Sequence, residues 1–472
     1  MATTIVWLRR DLRLADNPAL DAAVASGEPV VCVYVHAPEE EGAWRPGAAS
    51  DWWLHHSLLA LAAELRRRGA MLLLRSGPSA EALLALAAEC GAGRVTWNRL
   101  YEPALVARDA AVKSRLRAAG LEAESCKAAL LFEPWELETG SGGPYRVFTP
   151  YWRAARARLD TGGALPAPAR LRGRTDLPSL AIERLGLLPR IRWDSGLARA
   201  WTPGEAGAQE ALAQFLDAAL ADYAGERDRP DHAGTSRLSP HLHFGEVSPR
   251  QVVQAIAARG LLARGEPYVR ELGWREFSHH LLFHYPDTTD APLNPRFAQF
   301  PWATVDAARL SAWQQGRAGV PLVDAGMREL WTTGWMHNRV RMVVASFLCK
   351  NLRLHWLHGA RWFWDTLVDA DLANNTQGWQ WTAGCGADAA PYFRIFNPVA
   401  QGGRFDPQGR YVRRWLPELA RVPDAALQAP WTLRPLEQAE AGIGGTPWAQ
   451  PIVDLAASRD AALEAYQRMR AG

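Results

Sequence analysis

The feature that most constrains this chain is a switch in hydrophobic periodicity partway along it. Short apolar runs at 4–8, 29–35, 70–74, 94–97 and 121–126 alternate with helical stretches of Ala, Leu, Glu and Arg, such as 51–68 and 79–90. Continuous apolar runs suit strands buried on both faces, and their alternation with helices builds a parallel, doubly wound sheet. Beyond Thr202 the strand signals nearly vanish. Leu212, Phe215, Leu216, Ala219, Leu220 and Tyr223 fall at three- and four-residue spacing, one apolar helical stripe. The expected fold class is therefore α/β, an N-terminal doubly wound parallel sheet followed by a C-terminal all-helical domain. The expected division is 1–130 for the α/β domain, 131–201 for a connector and 202–472 for the helical domain, because 472 residues exceed one ordinary core.

Local signals refine this reading. Thr202-Pro203-Gly204-Glu205 has the form of a capping box with Pro at the first helical position. Ser248-Pro249-Arg250-Gln251 repeats it, and Gly260 supplies the stop. The loop after the first run, Arg9-Arg10-Asp11-Leu12-Arg13, lacks G-x-G-x-x-G, which argues against a dinucleotide clamped in the Rossmann manner. The Gly-, Pro- and Arg-bearing stretch from 127 to 201 is far above usual loop lengths and reads as a connector wrapped over the surface.

No stretch approaches the ~18 uninterrupted apolar residues of a membrane span. Arg9 and Arg10 follow the first apolar run as a buried strand would allow and a signal peptide would not. A soluble, cytoplasmic monomer with no membrane partner is expected. The five cysteines (Cys32, Cys90, Cys126, Cys349, Cys385) are odd in number and never in C-x-x-C spacing, which favours reduced thiols over disulfides or zinc. The 53 basic residues barely outnumber the 50 acidic ones, so net charge does not indicate nucleic acid. Only Lys113, Lys127 and Lys350 are lysines; Arg suits bidentate phosphate contacts, and a GC-rich genome gives the same bias. The 22 tryptophans concentrate after residue 270, a clustering that an aromatic ligand site or an electron path explains better than packing alone.

Four motifs carry chemistry. Gly234-Thr235-Ser236-Arg237-Leu238-Ser239 offers hydroxyls and amides before a helical pattern, suiting either an anion or a plain cap. Glu271, Trp274 and Arg275 share a helical face, which suits a nucleobase or an intrahelical ion pair beside a core ring. Asn338, Arg341 and Met342 share another face within Trp335-Met336-His337-Asn338-Arg339-Val340-Arg341-Met342. Asp369 and Asp371, with Asn374 and Asn375, precede Trp379-Gln380-Trp381; such carboxylates could serve a metal or acid–base work, and Arg341 could neutralise one of them.

With these motifs in view, the chain resembles the photolyase/cryptochrome family along nearly its whole length. The likeness runs from Trp7-Leu8-Arg9-Arg10-Asp11-Leu12-Arg13 through Thr235-Ser236-Arg237-Leu238-Ser239-Pro240 and Trp274-Arg275-Glu276-Phe277. It continues in Gly334-Trp335-Met336-His337-Asn338-Arg339, Asp369-Ala370-Asp371-Leu372-Ala373 and Tyr392-Phe393-Arg394-Ile395-Phe396-Asn397-Pro398. The resemblance implies an antenna-type domain, a connector and a helical domain holding FAD, reduced in the active state. It implies that Tyr223, Thr235, Ser236, Arg237, Leu238 and Ser239 cradle the FAD phosphates and ribose. Asp371 would bind the flavin edge, Arg341 would pair with Asp369, and Asn375 would face flavin N5.

The implied substrate is DNA containing cyclobutane pyrimidine dimers. Trp274 and Trp381 would stack on the dimer, Glu271 and Asn338 would hydrogen-bond it, and Met342 would give an apolar floor. Arg227, Arg275, Arg339 and Arg394 are the phosphate candidates. Trp302, Trp356 and Trp379 match the family's electron-carrying tryptophan chain. Repair of the (6-4) photoproduct would need a His pair where this chain has Asn338 and Met342, and members that prefer single strands usually replace the His337-Asn338 pair. Asp324-Ala325-Gly326-Met327-Arg328-Glu329-Leu330-Trp331 looks like the bacterial class near plant cryptochromes. Asn375 in place of their Asp, and an end at Gly472 without their tail, favour dimer repair over a light-signalling photoreceptor. Tyr101-Glu102 leads into Pro103-Ala104-Leu105, not the Asn-Glu pair of many folate-binding members. The antenna pigment is therefore open between methenyltetrahydrofolate, with Glu133 as a candidate ligand, a deazaflavin, a flavin and none.

Overall fold

The computed structural model describes residues 3–389 and 393–471; Met1 of the first run's lead-in and Tyr392 of the last motif lie outside the described residues. Five parallel strands, β1 (Thr3–Leu8), β2 (Val30–His36), β3 (Leu72–Ser76), β4 (Ala92–Asn98) and β5 (Glu122–Cys126), form one sheet in the order β3-β2-β1-β4-β5. All five expected runs became strands, displaced by no more than two residues at any end. β1 is buried on both faces, as a central strand of a covered sheet must be. Ile5 and Trp7, Val31 and Val33, and Val95 and Trp97 share a core with Leu83 and Leu86 of helix Ser79–Cys90 and with Leu116 of helix Pro103–Ala118.

The strand order reverses between β1 and β4, the position where doubly wound sheets bind ligands. Here the protein's own groups fill it. Asn98 donates to Asp11 at 2.6 Å, the Arg9 amide donates to Asp11 at 2.6 Å, and the Arg9 guanidinium reaches Asp109 at 2.9 Å. The long connector carries the helix Phe148–Ala157 and then runs along the sheet. Gly173 bridges Val30, and Leu180 donates to Leu74 at 3.1 Å, so the connector protects strand edges that would otherwise be open.

Contacts divide the chain into two compact units, one of Met1–Ala221, Ser236–Pro286 and Val368–Ala373, the other of Asp222–Thr235, Asp287–Leu367 and Asn374–Gly472. The first holds the sheet. The second is helical, and no strand follows Cys126 among the described residues. No helix among them is long and apolar enough to cross a membrane. The five cysteines are free thiols, Cys126 partly buried and the others buried.

Two expectations need correction. The helix near Thr202 starts only at Glu205, with Gly204 at φ 108° before it and no side-chain cap. Glu205 closes no capping box, because its carboxylate accepts from the amides of Leu14 and Ala15 at 2.8 and 3.0 Å. The apolar stripe from Leu212 to Tyr223 is likewise not one helix: it ends at Ala218 and continues as two short turns. At Ser248 the local signal prevails, with a reciprocal capping box to Gln251 and a helix over Pro249–Ala258. Gly260, at φ 70°, follows its end.

Candidate functional site

In the sheet-containing unit, helix Glu266–His284 carries Glu271, Trp274 and Arg275. Gly273 lets it approach the helix Phe148–Ala157, since a Cβ there would meet the Trp152 ring at 2.4 Å. Phe148 then stacks on Trp274 with ring centroids 3.6 Å apart and planes within 10°. Trp274 and Glu271 stay partly exposed. Arg275 turns inward and donates to the carbonyl of Ala129 at 2.9 Å.

Arg275 joins Arg10, Glu102, His243, His279 and Asp371 around a cavity of about 20 Å³, room for a single water. Arg10 bridges Glu41 and Glu102. Asp371 faces His279 Nε2 at 3.4 Å and His243 Nδ1 at 3.6 Å. The other nitrogen of His279 lies 3.0 Å from the Arg275 carbonyl, so both ring nitrogens face acceptors, an arrangement that favours the charged form of the ring. Burial alone would push the Asp371 carboxyl up, but the charge of His279 and its contacts with both rings hold it well below the usual range. Burial would lower His279, and Asp371 raises it instead. Sequence reasoning singled out Asp371 but missed Arg10, Glu102, His243 and His279. The signal available was buried-type spacing of charged residues in otherwise apolar segments, which does not say which of them meet.

The Ser236 hydroxyl accepts from the Tyr268 hydroxyl at 3.0 Å and from the Leu238 amide at 3.2 Å. This bends the chain so that Arg237 takes φ 52° and lies 4.2 Å from the Trp201 ring. The helix that follows is only Ser239–His243, much shorter than the sequence pattern suggests. Asp369 is buried in the same unit, and Glu133 is buried with its carboxylate on Arg99 at 2.6 Å.

In the helical unit, His337 caps helix Asn338–Ser346 by accepting from the Arg339 amide, while its own amide donates to Glu329 at 3.2 Å. This seating leaves Asn338 exposed and Met342 partly buried one turn on. Arg339 pairs with Asp228 at 2.9 Å, and Arg341 donates to the Met336 carbonyl at 2.7 Å. Tyr223 is buried, and Arg227 lies 5.4 Å from its ring. Thr235 is partly buried.

Helix Leu372–Ala383 presents Asn375, Trp379 and Trp381. The Asn375 amide donates to the Ala360 carbonyl at 3.0 Å, which fixes its orientation. Trp379 is 2% exposed, edge-on to Phe363 at 5.0 Å and to Trp313 at 6.3 Å. Trp356 is buried, with His355 between it and Trp302 at centroid distances of 5.5 and 5.1 Å. Trp381 is partly exposed, with the exposed Arg394 guanidinium 5.4 Å from its ring. Among the described residues no group of His, Cys, Asp and Glu is arranged to hold a metal.

Gly359 matters to this packing, because a Cβ there would lie 2.0 Å from the Trp379 ring. Gly359→Ala is therefore expected to destabilise by about 1–3 kcal/mol, although Ala is the better helix former. Urea unfolding measures this, and a stability gain would contradict the packing described.

Two family patterns match: "DNA photolyase" over residues 4–170 and "FAD binding domain of DNA photolyase" over residues 268–468. The deoxyribodipyrimidine photo-lyase of Agrobacterium fabrum is 45% identical over 99% of this chain and 98% of its own length. Cryptochrome-2 of Arabidopsis thaliana is 41% identical over 99% of this chain and 79% of its own length. The crystal structure of a bacterial class III photolyase from Agrobacterium tumefaciens superposes with a TM-score of 0.95 at 44% identity, covering 100% of this chain and 98% of that one.

Proposed function

Because this chain belongs to the DNA photolyase and cryptochrome family, we propose that it repairs cyclobutane pyrimidine dimers in DNA under blue light. The chain carries the family's FAD-binding domain. Its donor set fits that cofactor: an ionised buried carboxylate at Asp371, an oriented amide at Asn375, and unpartnered buried polar atoms of Thr376 and Gln377 on the same helix. Buried polar atoms without partners call for a ligand or water. Tyr223, Thr235, Ser236, Arg237, Leu238 and Ser239 are the proposed cradle for phosphates and ribose, with Arg341, Asp369, Asp371 and Asn375 toward the ring. When bound and reduced, FAD supplies the photoexcited electron that opens the two cyclobutane bonds and is then recovered.

The observation that carries the repair reading is the helix Asn338–Ser346, where an exposed amide and a partly buried thioether stand one turn apart. Asn338 and Glu271 hydrogen-bond the dimer, and Met342 packs against its apolar face. Photolyases are among the base-flipping proteins, which pay an unstacking cost. Trp274 and Trp381 repay it, each stacked base being worth about 1–3 kcal/mol. Arg227, Arg339 and Arg394 hold phosphates, and Arg275, turned inward, acts from within its unit. Trp302, Trp356 and Trp379 carry electrons to oxidised flavin. The protein acts as a cytoplasmic monomer, and its antenna site takes a folate, a deazaflavin, a flavin or no pigment.

Purified protein should release about one FAD per chain on denaturation and bind a dimer-containing oligonucleotide in the dark in preference to its undamaged twin. A photoreceptor of cryptochrome type predicts the FAD without the preference. Colourless protein that cannot be reconstituted with FAD contradicts both.

A further inference from the structure

Lys350 lies in a single π-helical turn, Phe347–Asn351, and is 1% exposed. Such turns are rare and gather at functional sites. Its ammonium donates to the Ala383 carbonyl at 2.6 Å and stands 3.2 Å from the centroid of the Phe393 ring. Among the described residues no carboxylate pairs with it. The titratable groups facing it are the thiols of Cys349 and Cys385, each pushed up to about 12 by burial and hence neutral. On helix Leu455–Ala471, packed against this turn, Tyr466 stacks on Phe393 at 4.4 Å while Arg459, Asp460, Glu464, Arg468 and Arg470 are exposed. On helix Trp356–Thr366 Arg361 and Asp365 are exposed and His358 is half-buried, and Arg394 follows Phe393 in sequence.

Burying an ammonium without a counter-ion is costly. Two features offset the cost here. Ala383 ends the helix Leu372–Ala383, so its carbonyl belongs to the negative end of the helix dipole. The Phe393 face adds a cation–π contact. The two anchors have a common meaning: Ala383 closes the helix bearing Trp381, and Phe393 leads directly into Arg394, whose guanidinium lies over Trp381. One cation thus ties down Ala383 and Phe393, which lie between Trp381 and Arg394 in sequence, each within two residues of one of them.

We propose that Lys350 is a positioning residue for the lesion, its ammonium setting the Trp381 ring and the Arg394 guanidinium where an extruded dimer and its phosphate engage them. The proposal rests on the reading of Trp381 and Arg394 as lesion contacts. Burial pushes Lys350 down to about 7, so the ammonium is present below that pH and lost above it. Lesion binding should follow the same titration.

The test uses FAD-loaded full-length protein in the dark, with fluorescence anisotropy on a thymine-dimer oligonucleotide and its undamaged twin. Wild-type preference for the lesion should fall about tenfold from about pH 6 to about pH 9. Lys350→Met should retain FAD, bind the lesion weakly throughout, and coincide with wild type at the alkaline end. Its repair should show a raised KM with kcat retained. Wild-type affinity at acid pH in a Lys350→Met protein overturns the proposal. A wild-type preference that stays flat with pH also overturns it, whether or not the variant folds. Trp381→Ala separates the two readings. If it weakens lesion binding while Lys350→Met does not, only the Lys350 role fails; if it binds normally, the Trp381 assignment fails and the Lys350 role with it.

Discussion

Trp379→Phe is expected to abolish light-driven reduction of oxidised FAD while leaving repair intact in enzyme whose flavin is reduced beforehand. Photoreduction needs an easily oxidised ring as the first donor, and Phe is too hard to oxidise to serve. Repair needs only reduced cofactor and a dimer in contact, so Trp379 becomes dispensable once reduction is complete. The packing around Trp379 gives the competing outcome. The ring is buried over Gly359, between Phe363 and Trp313, and a smaller ring leaves a cavity there. If packing is its whole role, the loss would be about 1–3 kcal/mol of stability with FAD leaking out, and both activities would fall together. Chemical reduction of wild type and variant, followed by repair per flash on a dimer oligonucleotide, separates the two. Parallel loss with cofactor release would remove Trp379 from the electron path.

Asn338→His combined with Met342→His should abolish dimer repair with FAD retained. The two side chains lie one turn apart near the start of helix Asn338–Ser346, exposed and partly buried. Neither belongs to the fully buried core, and the cap from His337 and the bond from Arg341 to Met336 do not involve them. Two imidazoles therefore fit without unfolding the helix but replace the amide and the thioether that the dimer meets. Absorbance at the flavin band reports retention, and chromatography of the irradiated oligonucleotide reports repair. Wild-type repair by the double variant would show that this helix face is not the lesion contact.

The sheet was legible because β1, β2 and most of β3 are short apolar runs, as strands covered on both faces require, whereas β5, Glu-Ala-Glu-Ser-Cys, shows only alternation and is exposed at Glu122 and Glu124. The start at Ser248 was legible because both partners of its capping box lie within four residues. The box at Thr202 misled because the spacing is identical but Glu205 is claimed by the amides of Leu14 and Ala15, far away in sequence. Local spacing holds no record of such a competitor. The same limit applies to the candidate site. Asp371 stood out within its motif, but that His243 and His279 flank it follows from three separate segments meeting in one unit. Lys350 was visible as one of only three lysines, directly after Phe347-Leu348-Cys349. Its meaning depended on Ala383 and Phe393, which tertiary packing alone brings to it.

The most direct test of the central claim is light-dependent repair by the purified chain with its FAD chemically reduced. A defined thymine-dimer oligonucleotide is incubated in the dark or under blue light, and restored thymines are counted by chromatography. The account predicts restoration under light with many turnovers per enzyme, and none in the dark. Intact dimers after illumination of reduced, FAD-loaded protein that still changes its flavin absorbance would contradict it and leave a photoreceptor.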